Sequence, residues 1–138
     1  MTTAGYSGTP LPKKLGIKAG SLLLIENEPT GFRAGLVEIP PDVLVESSFA
    51  TPRQADVLLW FVIDAGELAL GLGEARARMK PAAGLWICWP KKASRVPTDI
   101  TEDTIREIAL PTGLVDNKVC AIDAVWSGLR LVIRRELR

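Results

Sequence analysis

Ala55-Asp56-Val57-Leu58-Leu59-Trp60-Phe61-Val62-Ile63-Asp64-Ala65-Gly66-Glu67-Leu68 is the stretch that decides the fold. From Val57 to Ile63 it is unbroken apolar sequence, which reads as a strand in the centre of a parallel sheet covered on both faces. Asp64 ends the strand and, with Glu67, fits a capping box. Leu68, Leu72, Ala75 and Met79 then recur at helical spacing, so a helix is expected from about Ala65 to Met79 despite Gly71 and Gly73. Arg76, Arg78 and Lys80 suit the negative end of its dipole. A buried strand that runs directly into a helix is the repeating unit of an α/β architecture.

Working outward, Ser21 to Ile25 reads as a short strand that ends in Glu26, Asn27 and Glu28. After Pro29, Thr30 to Leu36 allows a short helix at most, and Pro40, Pro41 and Asp42 turn the chain into a strand at Val43 to Val45. Glu46 to Gln54 is too short for a helical crossover, but in extended form it reaches about 30 Å and can return along the sheet. This second unit therefore reads as having lost a helix and a strand. Toward the N-terminus, Thr9 as N-cap, Pro10 in the first turn and Gly16 as the stop frame a short helical piece. Downstream, Leu85 to Trp89 is a strand stopped by Pro90, and Glu102 to Leu110 is a helix offered a cap by Asp99 or Thr101. Lys118 to Ile122 and Leu129 to Arg134 read as a closing hairpin. The expectation is one three-layer α/β domain over residues 1–138, with a mostly parallel sheet, right-handed crossovers and a C-terminal antiparallel hairpin. Residues 1–17 form a segment packed on it, anchored by Tyr6.

Composition narrows the function. A chain of 138 residues that is 47% hydrophobic and 24% charged suits a single globular core. Its formal net charge of +1 is unlike the strong positive field of a dedicated nucleic-acid binder. No run is long enough to span a bilayer and the polar start has no signal pattern, so a cytoplasmic protein is expected. Cys88 and Cys120 lie in strand-like runs and read as reduced core thiols rather than a disulfide or metal set. The chain has no histidine, which removes the usual general base, the Ser/His and Cys/His pairs and the commonest zinc ligand together.

A parallel sheet that ends in an antiparallel hairpin is similar to the methyltransferase variant of the Rossmann-like fold, shortened here in its first half. More specific words are Gly5-Tyr6-Ser7-Gly8-Thr9-Pro10-Leu11, Lys14-Leu15-Gly16-Ile17, Trp89-Pro90-Lys91-Lys92-Ala93-Ser94, Gly113-Leu114-Val115-Asp116-Asn117-Lys118-Val119-Cys120 and Trp126-Ser127-Gly128-Leu129-Arg130. Together they resemble a small bacterial family known only as a domain of unknown function. The resemblance implies a fold and brings no reaction, ligand or partner with it.

In a Rossmann-type domain the loop after the first strand needs glycines so that backbone N–H groups can meet a phosphate. Here it reads Glu26-Asn27-Glu28-Pro29-Thr30-Gly31, poor in donors and hostile to pyrophosphate, although Glu26 could pair with a cationic ligand. No cofactor, metal site or catalytic residue is predicted. The ligand candidates gather at the carboxyl edge of the sheet: Trp89, Lys91, Lys92 and Ser94 after one strand, with Asp123, Trp126 and Ser127 in the hairpin turn. Two indoles beside two ammonium groups and a hydroxyl would suit a small anion or a protein partner. The competing structural reading has Trp86 and Trp89 as core residues, Trp60 still more so, and the lysines as a solvated loop. Asp116-Asn117-Lys118, ahead of a strand at the opposite edge, is assigned a turn or helix-ending role. The leading expectation is a non-catalytic binding or regulatory module on a degenerate methyltransferase-like scaffold. The alternative is a transferase with an atypical S-adenosylmethionine or nucleotide site, using Lys91 or Asp123 in proton transfer and Trp89 or Trp126 as stacking platforms. Nucleic-acid binding ranks third, and an exposed edge strand would allow a homo-oligomer.

Overall fold

The computed structural model describes residues 8–138; Tyr6 lies outside them. Six strands form one sheet: β1 (Leu22–Glu26), β2 (Leu44–Glu46), β3 (Ala55–Phe61), β4 (Met79–Pro90), β5 (Leu114–Ala121) and β6 (Trp126–Ile133), in the order β2-β1-β3-β4-β6-β5. The first four are mutually parallel, and β6 is inserted antiparallel between β4 and β5. Helices α2 (Ala65–Ala77) and α3 (Glu102–Ala109) cover one face. The short helix α1 (Leu11–Leu15) and the segment carrying Phe32 and Leu36 cover the other. The expected three-layer α/β architecture is therefore present.

The local expectations hold where capping chemistry dictates them. Asp64 Oδ2 accepts from Glu67 N at 2.8 Å to start α2, and Thr101 Oγ1 accepts from Thr104 N at 3.2 Å to start α3. Gly16 stops α1 at φ 84°, in the left-handed region that a glycine enters without strain. Others need correction. Pro10, not Thr9, occupies the N-cap of α1. Helix α2 ends at Ala77 because Met79 is already the first residue of β4. Asp116-Asn117-Lys118 is not a turn before the hairpin: it lies within β5, where the pairing with β6 shifts between Asp116 and Lys118. Arg106 on α3 reaches Asp116 Oδ2 at 3.0 Å, which docks that helix on the strand.

The two clusters of buried residues follow the alternation of the strands. Leu24, Leu58, Trp60, Leu85, Ile87 and Trp89 meet Leu68, Leu72 and Ala75 of α2 with Ile105 of α3. Leu23, Leu59, Phe61, Trp86 and Cys88 meet Leu15, Phe32 and Leu36 on the opposite side. Trp86, fully buried, donates from Nε1 to Leu15 O at 3.1 Å and so fastens α1 to the sheet. The return from β2 to β3, residues 47–54, carries no helix and crosses the α2 face with Phe49 buried beneath it.

Two glycines of α2 separate packing from propensity. A Cβ at Gly71 would stand 2.8 Å from Trp60 Cη2, whereas one at Gly73 meets nothing within 4 Å. Gly71→Ala should cost about 1–3 kcal/mol by overpacking the rigid indole. Gly73→Ala should gain about 0.5–1 kcal/mol by restricting the unfolded chain and favouring helix. Urea unfolding of the two variants measures both.

Burial pushes the thiol of Cys88 well up, and the same desolvation raises that of the half-buried Cys120. A thiol raised in the fold contributes stability that is complete below its ordinary pKa of about 8.5 and declines as the pH rises past it. Denaturant midpoints should therefore fall above about pH 8.5, and less steeply in a Cys88→Ala variant compared with its own midpoint at neutral pH.

Candidate functional site

The chain leaves β1 in one direction to form β2, then passes back over β1 to form β3 on its other side. The topological switch point lies between β1 and β3, and the carboxyl ends of strands at such a point are where open α/β sheets receive ligands. A crevice of about 570 Å³ opens there, between the carboxyl ends of β1 and β3, the start of the return segment and the outer flank of α2.

Its floor is aromatic. Glu26 and Trp60 are register partners on β1 and β3 and so share a face. Glu26 Oε1 accepts from Phe49 N at 2.7 Å, which seats the Phe49 ring edge-on against Trp60 with centroids 5.8 Å apart. Trp60 is only 4% exposed, and its indole Nε1 is buried without an acceptor among the described residues. Gly71 gives the indole room to lie under α2.

The walls are acidic. Asp64, Glu67 and Glu74 stand along α2 around the fully presented Leu70, which is 91% exposed. With Glu26 they give the crevice four carboxylates, and no lysine or arginine lines it among the described residues. Several of these groups are held in place. Asn27, with φ 57°, donates from Nδ2 to Glu67 Oε2 at 2.9 Å and to Phe61 O at 3.1 Å, which ties the loop after β1 to α2. Glu67 thus supplies its N–H to Asp64, while its carboxylate serves Asn27. Asp99 adds a further acceptor at the helix start, taking Ala65 N at 2.8 Å. The positive end of α2 is occupied by the chain's own carboxylates, where a phosphate would otherwise sit. No group of three or more carboxylates or thiols among the described residues is arranged to hold a metal ion.

Of the residues expected from sequence, Glu26 lies in this crevice and the other seven do not line it. The pairing of Trp89 with Trp126 is overturned by strand alternation. Trp89 pairs with Ser127, and Pro90 with Trp126, so the two indoles point to opposite faces of the sheet. Trp89 is 8% exposed and packs in the cluster under α2 and α3, whereas Trp126 packs edge-on against Phe61 at 5.1 Å on the other side. Asp123 Oδ1 accepts from Val125 N at 2.8 Å and Trp126 N at 2.9 Å, the chemistry of a tight turn. Ser94 Oγ donates to Lys91 O at 2.6 Å and closes the loop after β4. Lys91 is half-buried and Lys92 exposed on that loop, and Ser127 is paired within the sheet. Glu46 ends β2 and pairs with Arg53 at 3.1 Å.

Phe49, Trp60, Glu67, Leu70 and Glu74 escaped the sequence reading. One signal was present: Glu67, Leu70, Gly71 and Glu74 fall at helical spacing along one flank. Trp60 read as core, which it also is, and nothing local to Phe49 announces that it covers a strand formed far away.

Residues 30–135 match the family described as "Protein of unknown function (DUF3052)". No curated protein matches the chain by sequence. Among solved structures, Aeropyrum pernix fibrillarin in complex with natively bound S-adenosyl-L-methionine is 14% identical, with a TM-score of 0.59; the match covers 93% of this chain and 70% of that one. A SAM-dependent methyltransferase from Aquifex aeolicus is 19% identical, with a TM-score of 0.56, covering 88% of this chain and 87% of the other. These likenesses are of fold, and they establish the expected methyltransferase-like α/β architecture. In a doubly wound sheet a further strand stands outside the second; here β2 is the edge.

The bond that shapes the crevice can be tested alone. Glu26→Ala should leave the Phe49 N–H without its acceptor and cost about 1–3 kcal/mol, while Glu26→Gln keeps an oxygen there and should cost less than half as much. Chemical denaturation of both variants reads the difference.

Proposed function

The chain belongs to the family of proteins of unknown function matched over residues 30–135, and from that premise we propose that it is a binding module on a methyltransferase-like scaffold. It takes a small organic cation into the switch-point crevice and performs no chemistry on it. The observation that carries this reading is the lining itself: four carboxylates around the aromatic pair Phe49 and Trp60. Asp64, Glu67 and Glu74 are exposed, so solvent screens each pairing with a unit positive charge to about 1 kcal/mol or less, and the four carboxylates together favour a cation and disfavour a phosphate. An indole adds about 0.5–2 kcal/mol to a cation over its face. The volume of about 570 Å³ suits a small molecule.

Most of the acids of the crevice are already engaged. Glu26, Asp64 and Glu67 already accept hydrogens from Phe49 N, Glu67 N and Asn27 Nδ2. They supply a fixed negative field better than a mobile proton, and the chain has no histidine to supply one instead. A second reading is favoured by one observation, the likeness of fold to a structure that holds S-adenosyl-L-methionine. That molecule carries a sulfonium and an ammonium, so the acidic crevice does not repel it as it would a dinucleotide. Under this reading the protein is a transferase that accepts the cofactor's positive charge in the crevice but holds it chiefly through its nucleoside, without a glycine-rich loop.

Calorimetric titration of the full chain separates the two. Tetramethylammonium and S-adenosylmethionine should bind, S-adenosylhomocysteine should bind at least tenfold more weakly than S-adenosylmethionine because its sulfur is neutral, and ATP should not bind. Glu74→Gln should weaken the cations severalfold. Comparable affinity for the two adenosyl compounds would mean that the nucleoside is read rather than the charge, which supports the transferase; failure of every cation to bind would defeat both readings.

A further inference from the structure

At the opposite edge of the sheet the pairing of β3 with β4 is interrupted. Ala55 pairs with Met79, but Val57 pairs with Gly84, so residues 80–83 are looped out of the ladder. Irregularities of this kind re-aim side chains and recur beside binding sites. The loop opens a hollow of about 450 Å³ below the end of α1, with Leu15, Val57 and Pro81 among its apolar walls and Lys18, Lys80 and Arg130 as its cationic groups.

Arg130 is the unusual member. It shares a face with its register partner Trp86, and its guanidinium lies across β4 on the bare backbone of Gly84, where a Cβ would come within 2.9 Å of Cζ and Nη2. Among the described residues its one polar contact is Asn117 Oδ1 at 3.4 Å, and none of them gives it a carboxylate partner. Arg33 and Arg53, by contrast, each pair with one carboxylate and Arg106 with three. Burial, with the charge of Arg138 second, pulls the pKa of Arg130 down, as expected for a cation that lacks an anion. The one acid of the hollow is already spent: Asp56 takes Lys80 Nζ at 3.0 Å on one oxygen and Leu22 N at 2.8 Å on the other. Lys18 is exposed at the rim.

We propose that this hollow is an oxyanion site in which the Arg130 guanidinium, laid on Gly84, grips a phosphate or carboxylate borne on a small apolar body. The fork of a guanidinium presents paired N–H donors to two oxygens of such a group. Lys18 adds charge at the mouth, and Leu15, Val57 and Pro81 receive the apolar part. The site lies across the sheet from the acidic crevice and shares no residue with it, so the two stand or fall separately.

Phenyl phosphate is the first probe, followed by thermal unfolding of the full chain, with inorganic phosphate and sodium chloride at matched ionic strength as comparisons. Phenyl phosphate at about 100 times its Kd should raise the midpoint by several degrees in a saturable way. Inorganic phosphate should do so with lower affinity, and chloride should not. Arg130→Met, which keeps the stem, should lose the response at least tenfold in affinity. If that variant does not fold, Arg130→Lys keeps the charge but not the fork and should weaken binding about tenfold. Glu74→Gln in the crevice should leave it unchanged. A wild-type chain with no saturable response, or an Arg130 variant that binds as tightly as wild type, overturns the proposal.

Discussion

The hydrogen bond from Phe49 N to the Glu26 carboxylate holds the return of the chain from β2 to β3 against the sheet. A parallel crossover ordinarily satisfies its backbone inside a helix and buries a helical stripe. This crossover is extended, so it needs side-chain acceptors and a single large anchor. Phe49 is that anchor, fixed by Glu26 from behind and by the Trp60 ring in front. Because one ring covers less sheet than a helix would, the flank of α2 beyond Gly71 stays open, and Leu44 of β2 is 59% exposed on the same face. The crevice is the space left by the shortening of the fold.

That origin also explains its charge. Helix α2 begins with Asp64 and Glu67 for the ordinary reason that carboxylates stabilise a helix start. Asp99 and Asn27 then consolidate the same turn from two other loops. In a doubly wound sheet with a glycine-rich loop this edge receives phosphates; here the chain's own acids take those donors, and the surplus negative charge faces the opening. Positive charge without a partner is found instead at the base of the sheet, around Arg130, where an irregular β4 exposes the backbone of Gly84. The crevice and the hollow therefore carry opposite charge.

Local chemistry was enough for the strand from Val57, although it ends at Phe61 and not at Ile63, and for the capped start of α2, the cap of α3, the weak second unit and the closing hairpin. Each depends on residues within a few positions of one another, and run length, cap identity and glycine or proline punctuation report them. The insertion of β6 between β4 and β5 was not legible, because strand order is a matter of which edges are free once the other strands have paired. The pairing of Trp89 with Trp126 failed for a related reason. Both indoles do lie at the carboxyl edge, but whether two side chains on neighbouring strands share a face depends on register, and one residue of register reverses the answer.

The sequence by itself therefore determined the α/β class, the shortened second unit and a segment after β1 that is not glycine-rich, since each is written in contiguous residues. Only the tertiary structure decided that Glu26, Phe49, Trp60 and the α2 flank form one acidic, aromatic crevice, and that Arg130 rests on Gly84 with no carboxylate partner among the described residues. Those groups come from segments far apart in the chain, and what brings them together is the parallel register of β1 with β3, the antiparallel register of β4 with β6, and the looped-out residues of β4.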